Sequence, residues 1–178
     1  MNPQTKQFKL SFTLAVFLFM AMIMTSIAQA ADNASVTASV TALNLQVSVA
    51  SGSVTYGIMG LSSTKSTIAS DLNSKQTATN DGNGPETIKI AGTDSAGWTL
   101  GAVGSNTYSH KFCVETGSVC NSPPTSYTSL TTSNQTLKAS VAALGTVEFQ
   151  LQLGTPSSST AWDSQSVNVN LLAVVPGT

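Results

Sequence analysis

In residues 147–153 the chain reads Val-Glu-Phe-Gln-Leu-Gln-Leu. Apolar and polar side chains alternate there, and in an extended strand this alternation sends all the apolar side chains to one face. Residues 167–171 repeat the pattern as Val-Asn-Val-Asn-Leu. Clusters of Gly, Pro and Asn, such as residues 80–85, separate these runs from other short alternating runs. The sequence therefore predicts an all-β fold, a single antiparallel β-sandwich of jelly-roll or immunoglobulin-like type.

A longer alternating run lies nearer the N-terminus. Residues 36–42 place Val or Ala at every second position, with Thr and Ser between them. The apolar positions then shift by one residue, so that Leu43 starts a second series that ends at Val49. Such a shift sends side chains to the opposite face, which predicts a bulge, a break or a strand that passes between two sheets. Residues 66–74 and 137–144 are each candidates for a helical turn.

The N-terminus carries an export signal. Lys6 and Lys9 precede an uncharged run over residues 10–27, and a small-residue motif follows. This order is typical of a secretory signal peptide. An uncleaved membrane anchor is the alternative, because about 18 apolar residues begin to span a bilayer, but Ser and Thr interrupt the run. We expect a signal peptide over residues 1–30 and a secreted domain over residues 31–178, with a cleavage site defined by Ala28, Ala30 and Ala31.

The exported part has little charge. It contains five lysines, no arginine and eight acidic residues, which gives a net charge of −3. Scattered lysines argue against nucleic-acid binding, which needs clustered cations. Frequent Thr suits a pleated surface because its branched Cβ packs well there. We expect a secreted protein, extracellular or at the cell surface with the periplasm as an alternative, that binds no nucleic acid and does not span a membrane once the signal peptide is removed.

Cys113 and Cys120 are the only cysteines. In an oxidising compartment they are expected to form a disulfide, which for so short a loop stabilises by roughly 2–3 kcal/mol. A metal site is the alternative interpretation, but the spacing is not a metal-binding one. His110 is the only histidine and alternates with Tyr108 and Phe112 on a predicted strand, where a packed side chain is the commoner outcome. We assign no catalytic residue, no metal ligand and no cofactor.

Two polar or aromatic features are candidate ligand contacts. Residues 80–84 are rich in oxygen donors, but an EF-hand loop would need its Glu later than Glu86. A plain turn is the favoured interpretation, and a single calcium ion is the alternative. Trp98 lies in an alternating run and is expected in the core. Trp162 follows a serine-rich loop and is the better candidate for an exposed contact, for example with a sugar ring.

Three stretches carry a resemblance to known proteins. Residues 79–83, 88–94 and 97–100 resemble a pattern found in uncharacterised secreted β-sandwich proteins of bacteria and archaea. Residues 97–100, Gly-Trp-Thr-Leu, also resemble the first half of a WxL cell-wall domain, whose second W-x-L is missing near the C-terminus. The resemblance implies a cell-surface or extracellular protein.

Two hypotheses of function follow. The first is a non-enzymatic structural subunit of a surface filament or matrix, whose partners are copies of itself or other cell-surface components. Its basis is the alternating run over residues 34–49, since an exposed strand edge recruits other chains. Pairing of that run within its own chain is the simpler alternative. The second hypothesis is an adhesin or carbohydrate-binding module that uses loops around Trp162 and residues 80–85.

Overall fold

The computed structural model describes residues 35–121, 123 and 125–177. The chain divides into two compact units, residues 1–40 and residues 41–178. In the first unit only residues 35–40 are described, and they are exposed and without regular secondary structure. The predicted signal peptide and its cleavage site at Ala28, Ala30 and Ala31 lie outside the described residues. The fold described below is that of the second unit.

The second unit is all-β, as the alternating runs predict. No α-helix occurs among the described residues, and one short 3₁₀ turn spans Val119–Asn121. In the part of the chain that the structure covers, no helix has the length and apolar character needed to cross a membrane. The strands are β1 Val47–Val49, β2 Thr64–Ser66, β3 Gln76–Asn80, β4 Glu86–Gly92, β5 Thr99–Leu100, β6 Thr107–Val114, β7 Thr128–Ser129, β8 Gln135–Val141, β9 Thr146–Gly154 and β10 Val169–Val174.

The strands form two sheets that pack against each other. The larger sheet has the order β1-β3-β9-β6-β5, with β2 also paired to β9 and β7 to β6. The smaller sheet has three strands in the order β10-β4-β8. All pairs are antiparallel except the short pair of β5 and β6. The predicted antiparallel β-sandwich is therefore confirmed, with one parallel pair at an edge.

The core lies between the two sheets. β9 is the central strand, and its Val147, Phe149 and Leu151 are buried as the alternation predicts. Ile88 and Ile90 of β4 are fully buried opposite them. Burial of each such side chain contributes about 1.5–3 kcal/mol relative to full exposure. The other buried members of the cluster are Ala78, Phe112, Leu130, Leu137 and Val141.

The polar face of β9 is not exposed to solvent. Gln150 and Gln152 are buried, because the loop that follows β2 covers this face. Thr67 Oγ1 donates to Gln150 Oε1 at 2.7 Å and accepts the Leu151 N–H at 2.8 Å. Buried polar groups cost stability unless they are hydrogen-bonded, and Thr67 meets this requirement by pairing with Gln150 and with the backbone of Leu151.

One local expectation is wrong, and another is resolved. Residues 137–141 belong to strand β8 and not to a helical turn, because they pair with β4 and bury Leu137 and Val141. Of the bulge, break or sheet-crossing strand predicted near Ala42 and Leu43, the structure shows a break, because only Val47–Val49 forms a strand among the described residues of this run. Residues 42–46 are held by side-chain and backbone hydrogen bonds to residues 81–86.

Candidate functional site

A groove of about 1050 Å³ opens at one edge of the sandwich. Its walls are residues 52–61, which connect β1 to β2, and residues 159–171, which lead into and include the first half of β10. Its floor is formed by the inner face of the larger sheet, including Phe149, Leu151 and Leu153. We call this feature the edge groove. The side chains of its floor are nevertheless buried, as Phe149 is 2% and Leu151 is 4% exposed.

His110 lies in the floor of the edge groove. It is 3% exposed, and its Nε2 is 3.2 Å from the hydroxyl of Tyr56. The two rings meet edge to face, with centroids 6.0 Å apart. Burial lowers the pKa of His110 to about 4, so the imidazole is neutral at pH 7. Its Nδ1 is buried and has no hydrogen-bond partner among the residues that the structure describes.

The two tryptophans lie at the polar end of the same groove. Trp98 is half-buried and donates its Nε1–H to Ser159 Oγ at 2.9 Å, so it forms part of a wall and not of the core. Gln165 Oε1 accepts from Ser95 Oγ and from the Gly97 N–H, which fixes the wall beside Trp98. Trp162 is 76% exposed at the rim, in agreement with its expected exposure.

Both walls of the edge groove present backbone groups that lack backbone partners, although the Tyr56 carbonyl accepts from Lys65 Nζ at 2.8 Å. Among the described residues β10 pairs only with β4, so its other edge is open. Asn168 contacts Thr93 on the β4 side through both its N–H and its C=O. Because successive residues of a strand point their backbone groups in opposite directions, Val169 and Leu171 direct theirs to the open edge. No backbone–backbone hydrogen bond is made by described residues 51–59 of the facing wall.

The opposite end of the sandwich is closed. Asn80 is fully buried where β3 ends, and its Nδ2 donates to Gly84 O and Val141 O, both at 2.9 Å. Its Oδ1 accepts the Gly82 N–H at 2.8 Å, and its backbone groups bond to Leu144 and Gly145. One side chain therefore joins the turn after β3 to the end of β8.

Residues 42–46 run along this closed end, and we call them the strap. The Asn44 N–H donates to Asn83 Oδ1 at 2.8 Å, and the Gln46 N–H donates to Glu86 Oε2 at 3.2 Å. A Cβ at Gly82 would lie 2.4 Å from the Asn44 carbonyl oxygen, so the close contact requires glycine. Glu86 is fully buried, and this burial raises its pKa.

The oxygen-rich loop is a turn, as favoured from the sequence. Three of the oxygens that calcium would need, on Asn80, Asn83 and Glu86, accept backbone N–H groups instead. Across the described ranges 35–121, 123 and 125–177, no group of three or more His, Cys, Asp or Glu side chains is placed to hold a metal ion. The turn has a structural role because it fastens the strap.

The predicted disulfide is present. Cys113 at the end of β6 and Cys120 in the 3₁₀ turn are bonded, with their Cα atoms 5.7 Å apart. The bridge closes a loop that contains Glu115, whose Oε2 accepts from Gln150 Nε2 at 3.2 Å. It therefore fastens the loop beside the buried polar face of β9, on the opposite face of β6 from His110.

Comparison with protein-family models, with curated proteins and with solved structures finds no match to this chain. The candidate site is accordingly defined by its geometry alone.

Sequence reasoning found some of this site and missed the rest. It singled out Trp162, His110 and the alternating N-terminal run, but it did not connect them. It missed Tyr56, which follows Val54 in a short alternating pair between glycines. The alternation of Val54 and Tyr56 was the sequence feature that could have identified this wall, because a short strand-like segment between glycines can lie at the edge of a groove.

Proposed function

We propose that this protein is a non-enzymatic structural subunit that assembles with copies of itself outside the cell. The observation that carries the proposal is the exposure of the alternating N-terminal segment. Val36 and Val40 are 94% and 96% exposed, although their spacing is that of a strand that buries one face. Such a segment gains stability when it finds a sheet to join, because apolar burial and backbone pairing then act together.

Other features of the molecule support assembly. The disulfide is compatible with an oxidising compartment. An unprotected strand edge such as that of β10 is a template for another chain, and Val169–Val174 contains no charged residue that would oppose such pairing. Low charge further reduces electrostatic repulsion between copies.

Electron microscopy of the purified protein that begins at Ala31 tests this proposal. We expect polymers from that chain and monomers from a chain that lacks residues 31–41. The deletion removes exposed residues in the described part of the segment, so it should leave the thermal unfolding of the body nearly unchanged. Polymers from the truncated chain, or a strictly monomeric full-length chain at high concentration, would contradict the proposal.

A carbohydrate-binding adhesin is the second candidate function. The specific observation that favours it is Trp162, whose ring is exposed beside Asp163 and the polar wall of the edge groove. An exposed aromatic face beside hydrogen-bonding groups suits a sugar ring. A monodisperse monomer that binds a polysaccharide, and loses that binding in Trp162→Ala, would favour this function over assembly.

A further inference from the structure

We propose that the edge groove is the acceptor site for residues 35–41 of a second copy of this chain. The inference rests on the proposed function and adds the place at which the copies join. It predicts that the donated segment lies between the open edge of β10 and the wall formed by residues 52–61. The segment would thereby add a strand to the smaller sheet.

The shape of the sandwich identifies the missing strand. The smaller sheet has three strands, whereas the path through the larger sheet has five. The floor of the groove is the inner face of the larger sheet at Phe149, Leu151 and Leu153, whose side chains are already buried. An apolar floor between open backbone edges is the environment in which an added strand is stabilised from both sides.

Backbone pairing is available to an inserted strand on each wall. Val169 and Leu171 direct their N–H and C=O groups away from β4, and the facing wall makes no backbone pairs over residues 51–59 in the described structure.

The donated segment fits the site in pattern, charge and length. Its inward positions would be Val36, Ala38 and Val40, which are small enough to lie on a floor already lined by Phe and Leu side chains. It carries no charge, so nothing ionised would be buried. Residues 35–41 extend over ~23 Å as a strand, which is close to the ~20 Å of β10.

We assign the donor to a second copy because the segment is unpaired in the described part of its own chain. Residues 35–41 form no strand, and Val36 and Val40 are 94% and 96% exposed. Hydrogen bonds with Asn83 hold Ala42 and Asn44 beside the turn that precedes β4, so the chain is fastened directly after the segment. Cross-linking distinguishes pairing between copies from pairing within one chain.

Site-specific cross-linking of the full secreted chain tests the acceptor site. A photo-crosslinking amino acid at position 38, in polymers mixed from isotope-labelled and unlabelled chains, should give cross-links between labelled and unlabelled copies. We expect these to map to residues 52–61 and 159–171. Polymers whose cross-links map elsewhere, or only within one chain, would overturn the groove assignment while leaving the proposed function intact.

A matched pair of donor variants tests the facing of the segment. Val36→Asp with Val40→Asp should abolish polymers, because it would bury charge on the floor. Thr37→Asp with Thr41→Asp has the same charge and spacing on the other face and should still polymerise. Equal loss in both variants would overturn the predicted facing. All four positions are exposed, so neither variant should change the unfolding of the body.

A peptide titration separates the failure of the inference from the failure of the proposed function. The probe is a synthetic peptide with the sequence of residues 34–42, Ala-Ser-Val-Thr-Ala-Ser-Val-Thr-Ala, added to the full secreted chain. We expect it to shift tryptophan fluorescence to the blue and to shorten polymers, with at least about tenfold weaker binding for the peptide that carries both Val→Asp changes. If no polymers form but the peptide binds, only the proposed function fails. If polymers form but the peptide neither binds nor shortens them, only the groove assignment fails.

Discussion

The two ends of the sandwich differ in how completely their polar groups are paired. At the closed end Asn80 uses its side-chain amide and its backbone in five hydrogen bonds, and the strap covers the turn beside it. At the open end His110 keeps an unpartnered Nδ1 among the described residues, and two backbone edges face the groove. Pairing at the closed end is extensive but not complete, because the buried Oε1 of Glu86 has no hydrogen-bond partner among the described residues. The network around Asn80 stabilises that end, whereas the open backbone edges retain the capacity to bind.

Asn80→Ala should give the largest loss of stability. The change leaves two carbonyls and one N–H of the closed end without partners, and each buried polar group that loses its partner costs about 1–3 kcal/mol. We expect a loss of about 4 kcal/mol in the free energy of unfolding, measured by guanidinium chloride denaturation. The matched control is Asn83→Ala at an exposed position, with a loss of less than ~1 kcal/mol. Equal losses of stability in the two variants would contradict the view that the buried network around Asn80 stabilises the closed end more than the strap does.

Acid should cause the second-largest loss of stability, and this loss should arise at the open end. His110 has a pKa of about 4 in the folded protein and about 6.5 when unfolded, so the unfolded chain binds more protons between these values. Its contribution to stability is therefore complete above pH 6.5 and is lost as the pH falls toward 4. The shift corresponds to about 3 kcal/mol. Denaturation measured across this range should show the slope, and His110→Gln should flatten it.

Glu86 gives the closed end the opposite pH response. The raised pKa of Glu86 means that the folded state holds the carboxyl proton more tightly than the unfolded chain does. The contribution of this carboxyl to the free energy of unfolding is therefore present below its ordinary pKa, and it is lost as the pH rises through its pKa in the folded protein. Hydrogen exchange at pH 5 and pH 7 should show acid loosening residues around His110 and not those around Asn80. Uniform loosening at both ends would contradict the contrast.

Tyr56→Phe should have a smaller effect at the open end. It removes the hydroxyl that lies 3.2 Å from His110 Nε2 and leaves a second nitrogen of that ring unpaired. We expect a loss of about 1–2 kcal/mol in thermal or chemical unfolding, with the ring packing retained. Thr55→Ser, at the exposed neighbouring position, serves as the control and should change little.

Lys75→Ala should have the smallest effect. Its Nζ lies 2.7 Å from Glu148 Oε2, but the two side chains are 42% and 44% exposed, so solvent screens the pair. We expect a loss below ~0.5 kcal/mol at physiological salt and none at high salt. A larger loss in Lys75→Ala would mean that surface ion pairs contribute as much to stability as the buried hydrogen bonds on which the contrast between the two ends depends.

The strands were predictable wherever one face is buried. Residues 147–153 and 87–90 show the core positions directly, because a period of two in apolar residues reports which side chains leave water. The same rule failed for Gln150 and Gln152, which are buried under a loop that the sequence does not place. It also could not tell whether residues 36–42 are paired, since alternation reports that a segment can pair and not whether a partner is within reach.

The candidate site was only partly predictable for a related reason. Trp162 was expected at the surface because it follows a serine-rich loop, and it is exposed. Tyr56, His110 and Leu171 come from distant parts of the chain, and only the pairing of β10 with β4 and of β6 with β9 brings them to one groove. Asn80 resembles any turn residue in sequence, yet its burial makes it the centre of the closed end.

The sequence by itself determined an all-β domain with a disulfide between Cys113 and Cys120, because side-chain period and local cysteine spacing are properties of short segments. Only the tertiary structure decided which end of the sandwich is closed and which strand edge is left open. Those features depend on the relative widths of two sheets and on hydrogen bonds between residues far apart in the chain. No local pattern records either quantity.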